Sequence, residues 1–473
     1  MELFLYVIAV LLVAWPAATW RGLHRPMPTG LSVQSPLLPI RQLRFCSDLT
    51  YLNDDGKLQC EQHILAELLQ LIGAAERFII LDIFLYNDLH DGSHGLAPLS
   101  RIVTDALLAA KKKRPGLQIL LISDPVNTGY GSYANPYFNE LQSAGATVVL
   151  TNLACLPDSN IPYAGFWNLL GRWVGHRLGR LPSPFAGNTP HFSLAGWLAL
   201  LNFKANHRKV ILSEKSCLLT SANNSHDAST LNSNIAFSFS GPLLAEIAES
   251  ETAVAALAGR PTVLPPVRPA SGGSATEECR GQLLTEGKIK AALLDDLEAC
   301  RAPASLWLAM FYLADRRIVA ALLAAARRGV TVRLILDANH DAFGRTKNGV
   351  PNRPVATWLH RKSAGGIQIR WYDSHGEQFH SKLVLLTTAT HCMILGGSAN
   401  LTRRNIDDFN LESCLRIITR PESDVTAEVR DYFERLWHNR GGHFTVDYQR
   451  FADHNLLRYW QYRIQESSGL GLF

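Results

Sequence analysis

The chain has 473 residues, of which 47% are hydrophobic and 18% charged, and its formal net charge is +5. This length exceeds one ordinary core and predicts two or three domains, while the composition excludes a disordered or fibrous protein. The charge is too small to indicate a general nucleic-acid coat. The eight cysteines are scattered without metal-binding spacing, which argues against a zinc site.

The N-terminal segment is apolar and uncharged from Leu3 to Trp20 and ends at Arg21. A stretch of this length is about enough to cross a bilayer core. Because it opens with Glu2 instead of a basic region, we predict an uncleaved single-pass membrane anchor over residues 1–22, with a cleaved signal peptide as the alternative. Arg21 and Arg25 favour a cytoplasmic body but leave the membrane side open.

Residues 23–40 contain several prolines and serines and are predicted to form a tether. The first domain, residues 41–258, then alternates strands with helices. Apolar, β-branched runs predict strands, and a helical pattern lies between the first two of them. The predicted strands are Phe78–Tyr86, Leu117–Ser123 and Gly145–Thr151, and the predicted helix is Pro98–Lys112.

Residues 259–280 are rich in Pro, Gly, Ser and Ala and predict a linker, after which the second domain occupies residues 281–473. The same order of elements returns there. The strands are Ser305–Phe311, Gly329–Leu336 and Gly366–Tyr372, with a helix over Ile318–Ala326. We therefore predict an α/β protein with two duplicated halves packed around a pseudo-two-fold axis, although two unrelated α/β segments would also share this order.

Each half ends with a matching motif. The first contains His207-Arg208-Lys209 and then Ser221-Ala222-Asn223, and the second contains His380-Ser381-Lys382 and then Ser398-Ala399-Asn400. Residues two apart in a strand share a face, so each motif presents an imidazole beside an ammonium, which suits a phosphate. A single such triplet is more often a core histidine with a solvated lysine. Two copies at matching places indicate a shared site.

These paired motifs resemble the phospholipase D superfamily, whose motif is His-x-Lys, four residues, Asp, and later Gly-Ser-x-Asn. The resemblance spans residues 45–438, and it implies phosphodiester chemistry with no cofactor and no metal. The sequence departs from the pattern at four places: Glu214 and Thr387 occupy the two Asp positions, Thr220 replaces the first Gly, and the spacer before Gly397 in the second copy is longer. Since His, Lys and Asn carry the chemistry in the family, we expect activity to survive these changes.

The resemblance also implies residue roles. The expected catalytic residues are His207, Lys209, Asn223, His380, Lys382, Asn400 and Glu412, with Glu214, Ser221 and Ser398 in support. By analogy, one histidine is the nucleophile and the other the acid/base, and we assign these to His207 and His380. Glu412 is expected behind His380, whereas Asn234-Ile235-Ala236 offers the first copy no acidic partner. The sequence leaves open which histidine attacks.

A segment without any acidic residue runs from Ser159 to Ser213. It is basic and aromatic, and its apolar residues repeat at helical spacing from Phe166 to Leu178, which predicts an amphipathic helix on anionic lipid. The basic residues are Arg172, Arg177, Arg180, Lys204, Arg208 and Lys209. A core helix with a solvated basic face and stacking of single-stranded nucleic acid are the alternatives. The predicted anchor disfavours the latter.

We therefore predict a membrane enzyme acting on phospholipid, either a phosphodiesterase of phospholipase D type or a phosphatidyltransferase, through a phosphohistidine. The form Asn206-His207-Arg208-Lys209 also resembles bacterial cardiolipin synthases. A superfamily nuclease and an inactive membrane-binding scaffold are the alternatives. The sequence does not determine the head group, the acceptor alcohol or the oligomeric state.

Overall fold

The structure is a computed structural model that describes residues 2–90, 95–176, 179–185, 190–259, 279–342 and 345–471. The side chains of residues 2–12, 341–342 and 345–346 are not described. The predicted linker, residues 259–280, lies almost entirely outside the described residues.

The strands of the first half lie before residue 260, and those of the second half follow, except that β1 joins the second sheet. The first set is β1 Leu38–Pro39, β2 Arg41–Leu52, β3 Leu58–Glu61, β4 Phe78–Ile83, β5 Tyr86–Asn87, β6 Gln118–Ser123, β7 Thr147–Leu150, β8 Lys209–Ser213, β9 Cys217–Thr220, β10 Ser225–His226 and β11 Asn234–Ser240. The second is β12 Arg280–Thr285, β13 Ser305–Met310, β14 Thr331–Asp337, β15 Asp341–Ala342, β16 Arg345–Thr346, β17 Ile367–Tyr372, β18 Lys382–Thr387, β19 Cys392–Gly397, β20 Ser413–Thr419 and β21 Thr445–Asp447.

The α-helices are distributed over both halves. They are α1 Glu2–Leu23, α2 Ile64–Ala74, α3 Leu99–Lys113, α4 Pro136–Ser143, α5 Ile161–Leu169, α6 Leu194–Leu200, α7 Leu243–Ala256, α8 Gly287–Ala299, α9 Arg316–Arg327, α10 Asn352–Lys362, α11 Arg403–Ile406, α12 Asp424–Trp437 and α13 Leu456–Ser468. The predicted strands and helices of both halves are present with ends shifted by a few residues.

Two large sheets share one strand pattern. The first runs β3-β2-β11-β9-β8-β4-β6-β7, and the second runs β1-β12-β20-β19-β18-β13-β14-β17-β21. Counted across the first sheet from β2, and across the second sheet from β12, four antiparallel strand pairs are followed by two parallel pairs. The mixed α/β class predicted from the sequence is therefore correct.

The sheets pack face to face, and alternation along each strand sends side chains to two cores. In β4, Phe78 and Ile80 enter the core between the sheets, where they join Leu383 and Leu385 of β18. The intervening residues of β4 face α2 and α3 on the outside. The second sheet is covered in the same way by α8, α9 and α10. This layering places the starts of β8 and β18 close together.

The predicted single-pass anchor is not supported. Within the part of the chain that the structure describes, no helix is both long enough and apolar enough to cross a bilayer. The segment is helical as α1, and its C-terminal part packs along α5, where the Trp15 and Phe166 rings are 6.5 Å apart. Gly165 permits this approach, because a Cβ there would lie 2.6 Å from Trp15.

The expected amphipathic helix from Phe166 to Leu178 is also not continuous. Helix α5 ends at Leu169, a short 3-10 turn follows at Gly171–Trp173, and residues 177–178 lie outside the described residues. Gly171 and Gly175 interrupt the pattern, since glycine is a poor helix former. Gly171 also packs closely, because a Cβ there would lie 2.9 Å from Trp167.

Candidate active site

The two His-x-Lys motifs meet between the sheets. The ring centroids of His207 and His380 are 6.3 Å apart. His207 precedes β8 and His380 precedes β18, so both imidazoles project from equivalent strand starts. The His207 side chain is 12% exposed and His380 is 6% exposed, so both imidazoles are largely buried.

Each imidazole is held by a residue of the other half. His207 donates from Nδ1 to Glu412, at 2.9 Å and 3.1 Å to the two carboxylate oxygens. His380 donates from Nδ1 to Oδ1 of Asn234 at 3.0 Å. The expectation that Glu412 lies behind His380 is therefore wrong, and the first histidine has the acidic partner that its own half lacks.

The exchange of partners follows from backbone bonds between the halves. The amide of His207 donates to the carbonyl of Leu411 at 2.9 Å, and the amide of Ser233 donates to the carbonyl of Gln378 at 3.0 Å. Glu412, which directly precedes β20, and Asn234, which begins β11, are thereby set beside the motifs of the opposite halves. Glu412 is completely buried there, so its carboxylate needs a hydrogen-bonded partner.

The two predicted serines support these partners. Ser398 donates its hydroxyl to Glu412 and accepts the amide of Ser413 at 3.0 Å. Ser221 donates to Oδ1 of Asn234 at 3.1 Å, and the amide of Ile235 donates back to Ser221 at 3.0 Å. Each Ser-x-Asn motif therefore orients the side chain that holds the histidine of the other half.

The motif lysines lie beside their own histidines. Nζ of Lys209 donates to the carbonyl of His207 at 2.8 Å, and Nζ of Lys382 donates to the carbonyl of His380 at 2.7 Å. Both ammonium groups also lie 5.3 Å from an aromatic ring centroid. The rings are those of Phe84 and Phe311. These contacts fix two amino groups next to the imidazoles, where their protonated forms would bind a phosphate.

Sequence reasoning missed the two phenylalanines. Phe84 lies 4.9 Å from the His207 ring and Phe311 lies 5.2 Å from the His380 ring, measured between ring centroids. Phe84 follows β4 and Phe311 follows β13, which are equivalent strands of the two halves. An alignment of the two strand ends would therefore have revealed both phenylalanines.

Two aspartates were also missed. Asp124 accepts the amide of Asn206 at 2.7 Å, and Asp337 accepts the amide of Phe379 at 2.8 Å. Each carboxylate therefore holds the residue immediately before a motif histidine. Both stand at the C-terminal end of the second parallel strand of their half, and this shared position was the available signal.

The predicted asparagines remain available to a ligand. Asn223 is 6% exposed and Asn400 is 5% exposed. Among the residues that the structure describes, their Oδ1 atoms have no hydrogen-bond partner. A buried amide with an unused polar atom is uncommon and points to a group that a ligand would satisfy.

Glu214 and Thr387 stand apart from the imidazoles. Glu214 accepts the amides of Glu76, Arg77 and Phe78, at 2.8 to 3.3 Å, where β4 begins. Thr387 accepts the thiol of Cys392 at 3.3 Å. The C-terminal end of each motif strand is thus occupied by structural contacts.

Burial and positive charge set the protonation of the empty site. Burial lowers the pKa of His207 to about 4, with Glu412 opposing and the Lys209 charge adding to the shift. Burial also lowers the pKa of His380 well below its usual range, and Lys382 and Lys209 add to this. The pKa of Lys209 falls to about 7 for the same primary reason. An anion between these groups would favour their protonated forms.

A cleft of about 240 Å³ opens beside the first motif. Thr151, Trp167, Arg172 and Lys204 lie in its wall. Thr151 also accepts the side-chain amide of Asn206 at 3.0 Å, so the cleft adjoins the residue before His207. Within the described ranges, no group of three or more His, Cys, Asp or Glu side chains is arranged to hold a metal.

Residues 293–437 match the sequence model of the family described as "Cardiolipin synthase, PLD-like domain". The resemblance to the phospholipase D superfamily is thereby confirmed. The matched range contains the second motif of this phospholipase D-like chain with Glu412, but not the first motif. No curated protein sequence matches the chain.

Solved structures match the chain over all or part of its length. Phosphatidylserine synthase from Haemophilus influenzae Rd KW20 has 11% identity and a TM-score of 0.55, and the match covers 96% of this chain and 98% of that one. Polyphosphate kinase from Porphyromonas gingivalis has 13% identity and a TM-score of 0.46, over 92% and 55%. The phospholipase D family member Nuc from Salmonella typhimurium has 18% identity and a TM-score of 0.27, over 35% and 97%. At these identities the likeness concerns the fold.

Proposed function

We propose that the protein is a phosphatidyltransferase that moves a phosphatidyl group from one phospholipid to an alcohol acceptor, with hydrolysis as a competing reaction. The observation that carries the proposal is the pair of imidazoles, 6.3 Å apart, each oriented through Nδ1 by the other half. Reacting atoms meet at about 3 to 3.5 Å on each side of phosphorus, so this separation suits two groups that flank one phosphate.

In the proposed reaction Nε2 of His207 attacks phosphorus. The bond from phosphorus to the leaving alcohol breaks as His380 gives a proton to the alcohol oxygen. The acceptor hydroxyl then gives its proton to His380 while its oxygen attacks phosphorus, and the phosphorus–nitrogen bond to His207 breaks. Lys209 and Lys382 stabilise the charge on the phosphoryl oxygens, together with the two motif asparagines.

The protonation pattern supports this division of roles. Glu412 is an anion whose pKa is lowered, because the charge of His207 and hydrogen bonds outweigh its burial. A carboxylate behind His207 stabilises the positive charge that develops on the imidazole during attack. Asn234 behind His380 is neutral and leaves that imidazolium a stronger acid. His380 is neutral in the empty site, so it must take up a proton when the substrate binds.

We further propose that residues 41–258 and 281–473 are duplicated halves related by a pseudo-two-fold axis. The shared strand order and the reciprocal pairing of each motif with the opposite half support this relation. In this proposal the linker region 259–280 connects them. The site is then assembled from half-sites that are incomplete alone.

Phospholipid is the proposed substrate class for two reasons. The family that matches the second half is described by a cardiolipin synthase domain. In addition, the cleft near Asn206 has Trp167 and Arg172 in its wall, and part of that wall belongs to the acid-free segment. Lys204 also lies in the wall and is paired with the buried Asp158. Such a wall suits an anionic head group next to acyl chains. We propose that the protein works at a membrane surface.

The test is to incubate purified protein with phosphatidylglycerol as the sole lipid and to identify products by mass spectrometry. Cardiolipin with glycerol supports transfer, whereas phosphatidic acid alone over a range of lipid densities would reduce the protein to a phospholipase D. His207→Ala and His380→Ala should abolish both products, because both routes pass through one intermediate. His438→Ala is the matched control, since that side chain is 57% exposed.

The same preparation distinguishes the alternatives. Degradation of DNA or RNA without lipid turnover would favour a nuclease, and its binding would weaken steeply with salt. A scaffold would form no covalent intermediate, so protein denatured at alkaline pH, where a phosphorus–nitrogen bond survives, and carrying a phosphatidyl group on His207 would exclude it.

A further inference from the structure

The exposed large apolar side chains are concentrated in three segments. Among the described residues, twelve such side chains are exposed, and eleven belong to α1, to residues 170–181 or to residues 456–470. They are Val13, Trp15 and Trp20; Leu170, Trp173 and Leu181; and Leu456, Leu457, Trp460, Ile464 and Leu470. The remaining one is Leu58 in β3. Single exposed apolar residues are ordinary, but such a concentration indicates a contact surface.

Helix α13 packs by one face and leaves an apolar face open. Tyr462 donates its hydroxyl to the carbonyl of Ala314 at 2.8 Å, and Glu466 accepts the amide of Arg403 at 2.7 Å. Its exposed apolar residues Leu456, Leu457, Trp460 and Ile464 are 57% to 79% accessible. At 100° per residue these four positions fall within an arc of about 100° on the other side.

Two of the three segments, α1 and residues 456–470, meet beside the start of α5. The amide of Asp158 donates to the carbonyl of Gly22 at the end of α1, at 3.0 Å. Arg404 donates to the carbonyl of Gly469, just after α13, at 2.6 Å and to the hydroxyl of Ser159 at 3.2 Å. The end of α1, the start of α5 and the end of α13 therefore meet at residues 158–160.

This junction is connected to the active site. Arg404 lies in α11, which begins three residues after Asn400, and Asn405 of the same helix donates its side-chain amide to Glu412. A bilayer that contacts the end of α13 would therefore lie close to α11, which supports the Glu412 carboxylate.

The charge of this surface is basic. Residues 159–213 contain no acidic side chain, and Arg172 stacks over the exposed Trp173 ring at 4.6 Å. In α13 the sole acidic residue, Glu466, is 5% exposed. Arg463 borders the apolar arc, whereas Arg458 lies about 100° beyond it and pairs with Asp453 at 3.0 Å. Exposed tryptophan beside arginine is typical of helices that lie in the head-group region of anionic membranes.

We propose that α13 is a membrane-docking helix, which lies with its apolar face in the surface of an anionic phospholipid bilayer beside residues 170–173 and α1. The choice of lipid as the occupant rests on the proposed function, on the basic charge and on the continuity with the acid-free segment. Docking through α13 would hold the mouth of the site at the lipid surface, with both halves of the molecule in contact with the bilayer.

The first experiment measures flotation of the full chain with phosphatidylcholine vesicles, with and without phosphatidylglycerol. The variant combines Leu457→Ser, Trp460→Ser and Ile464→Ser, and the matched control is Leu58→Ser, which removes an apolar side chain that is 46% exposed elsewhere. We expect the triple variant to partition onto phosphatidylglycerol vesicles at least about tenfold more weakly. We expect the control to bind like the unaltered protein. Equal binding by both variants overturns the proposal.

A second measurement reports on the helix itself, whatever α1 contributes to binding. The fluorescence emission of Trp460 is taken as the emission of the unaltered protein minus that of the Trp460→Phe variant. It is measured with and without vesicles whose lipid acyl chains carry bromine. Quenching of this difference by brominated lipid is expected, and its absence overturns the proposal. A change of oligomeric state in the triple variant, seen by sedimentation velocity, would assign the face to a second copy instead. Binding is scored without reference to lipid products, so a docked but inactive protein refutes only the proposed enzyme function.

Discussion

Glu412 and Asn234 occupy matching places in the two halves, yet one is a carboxylate and the other an amide. Each is bonded to the serine of its own Ser-x-Asn motif and to the histidine of the other half. A carboxylate stabilises an imidazolium, whereas an amide only orients the ring. The two histidines therefore differ in basicity although their surroundings are otherwise alike.

This difference predicts the effect of exchanging the partners. Glu412→Gln should lower kcat by about 100-fold or more, because the charge that develops on His207 loses its stabilisation. Asn234→Asp should raise the pKa of His380 by about one unit and move the alkaline limb of the kcat/KM profile to higher pH. Glu422→Gln, at an exposed position, serves as the control. An unchanged profile in Asn234→Asp would contradict the assigned role of His380.

Lys209 leads to a prediction about pH and binding. Burial lowers its pKa to about 7 in the empty site, so the ammonium form loses its proton as pH rises through that value. Only the protonated form attracts an anion. The affinity for a soluble phosphodiester such as glycerophosphoglycerol, whose charge is constant here, should therefore fall up to about tenfold per pH unit above pH 7. Calorimetry in buffers of different ionisation enthalpy should show proton uptake on binding; a flat affinity without proton uptake would argue against this titration.

At the scale of the elements, Arg208 links the first motif to the second half. It is completely buried and pairs with Glu286 at 2.7 Å and with Glu251 of α7 at 3.2 Å. Glu286 also accepts the amide of Glu412 at 3.1 Å. One guanidinium thus ties β8, α7 and the segment before α8 to the residue that orients His207.

Removal of this cation should be costly. Arg208→Met leaves two buried carboxylates without their partner and is expected to lower the free energy of unfolding by about 3 to 5 kcal/mol. Arg44→Met is the matched control. The Arg44 side chain is 54% exposed and its ion pair with Glu67 is worth at most about 1 kcal/mol. Urea titrations of both variants measure the difference; similar midpoints would show that the Arg208 network does not stabilise the fold.

At the scale of the whole molecule, one chain supplies both motifs of the candidate site. His207 and Glu412 are separated by 205 residues, and they meet only because the two sheets pack together. Neither half alone contains a motif histidine together with the residue that orients it and both motif lysines. Catalysis should therefore depend on the packing of the halves as much as on the motifs.

A mixing experiment tests this arrangement. Equal amounts of His207→Ala and His380→Ala protein, folded separately and then combined, should remain as inactive as either alone, because each chain lacks one imidazole of its own site. Activity that returns to a substantial fraction of normal on mixing would show that the working site forms between chains. The doubly substituted protein mixed with the unaltered protein is the control for inhibition.

The sequence by itself determined the features that depend on neighbours in the chain. Alternation of apolar residues predicted β4, β6, β13 and β14, because the period of two is a local property of a strand. The spacing of His207 and His380 from their lysines predicted the two half-sites for the same reason. The order of strands and helices also sufficed for the α/β class.

Only the tertiary structure decided which groups act together. Glu412 lies in the half of His380 and was assigned to it, yet packing of the sheets sets Glu412 against His207. The phenylalanines beside the lysines and the open face of α13 likewise depend on which surfaces meet. Which side chains become partners depends on their distance in the folded protein. Burial and hydrogen bonding select this arrangement by a free energy of a few kcal/mol, and no local pattern in the sequence encodes that energy.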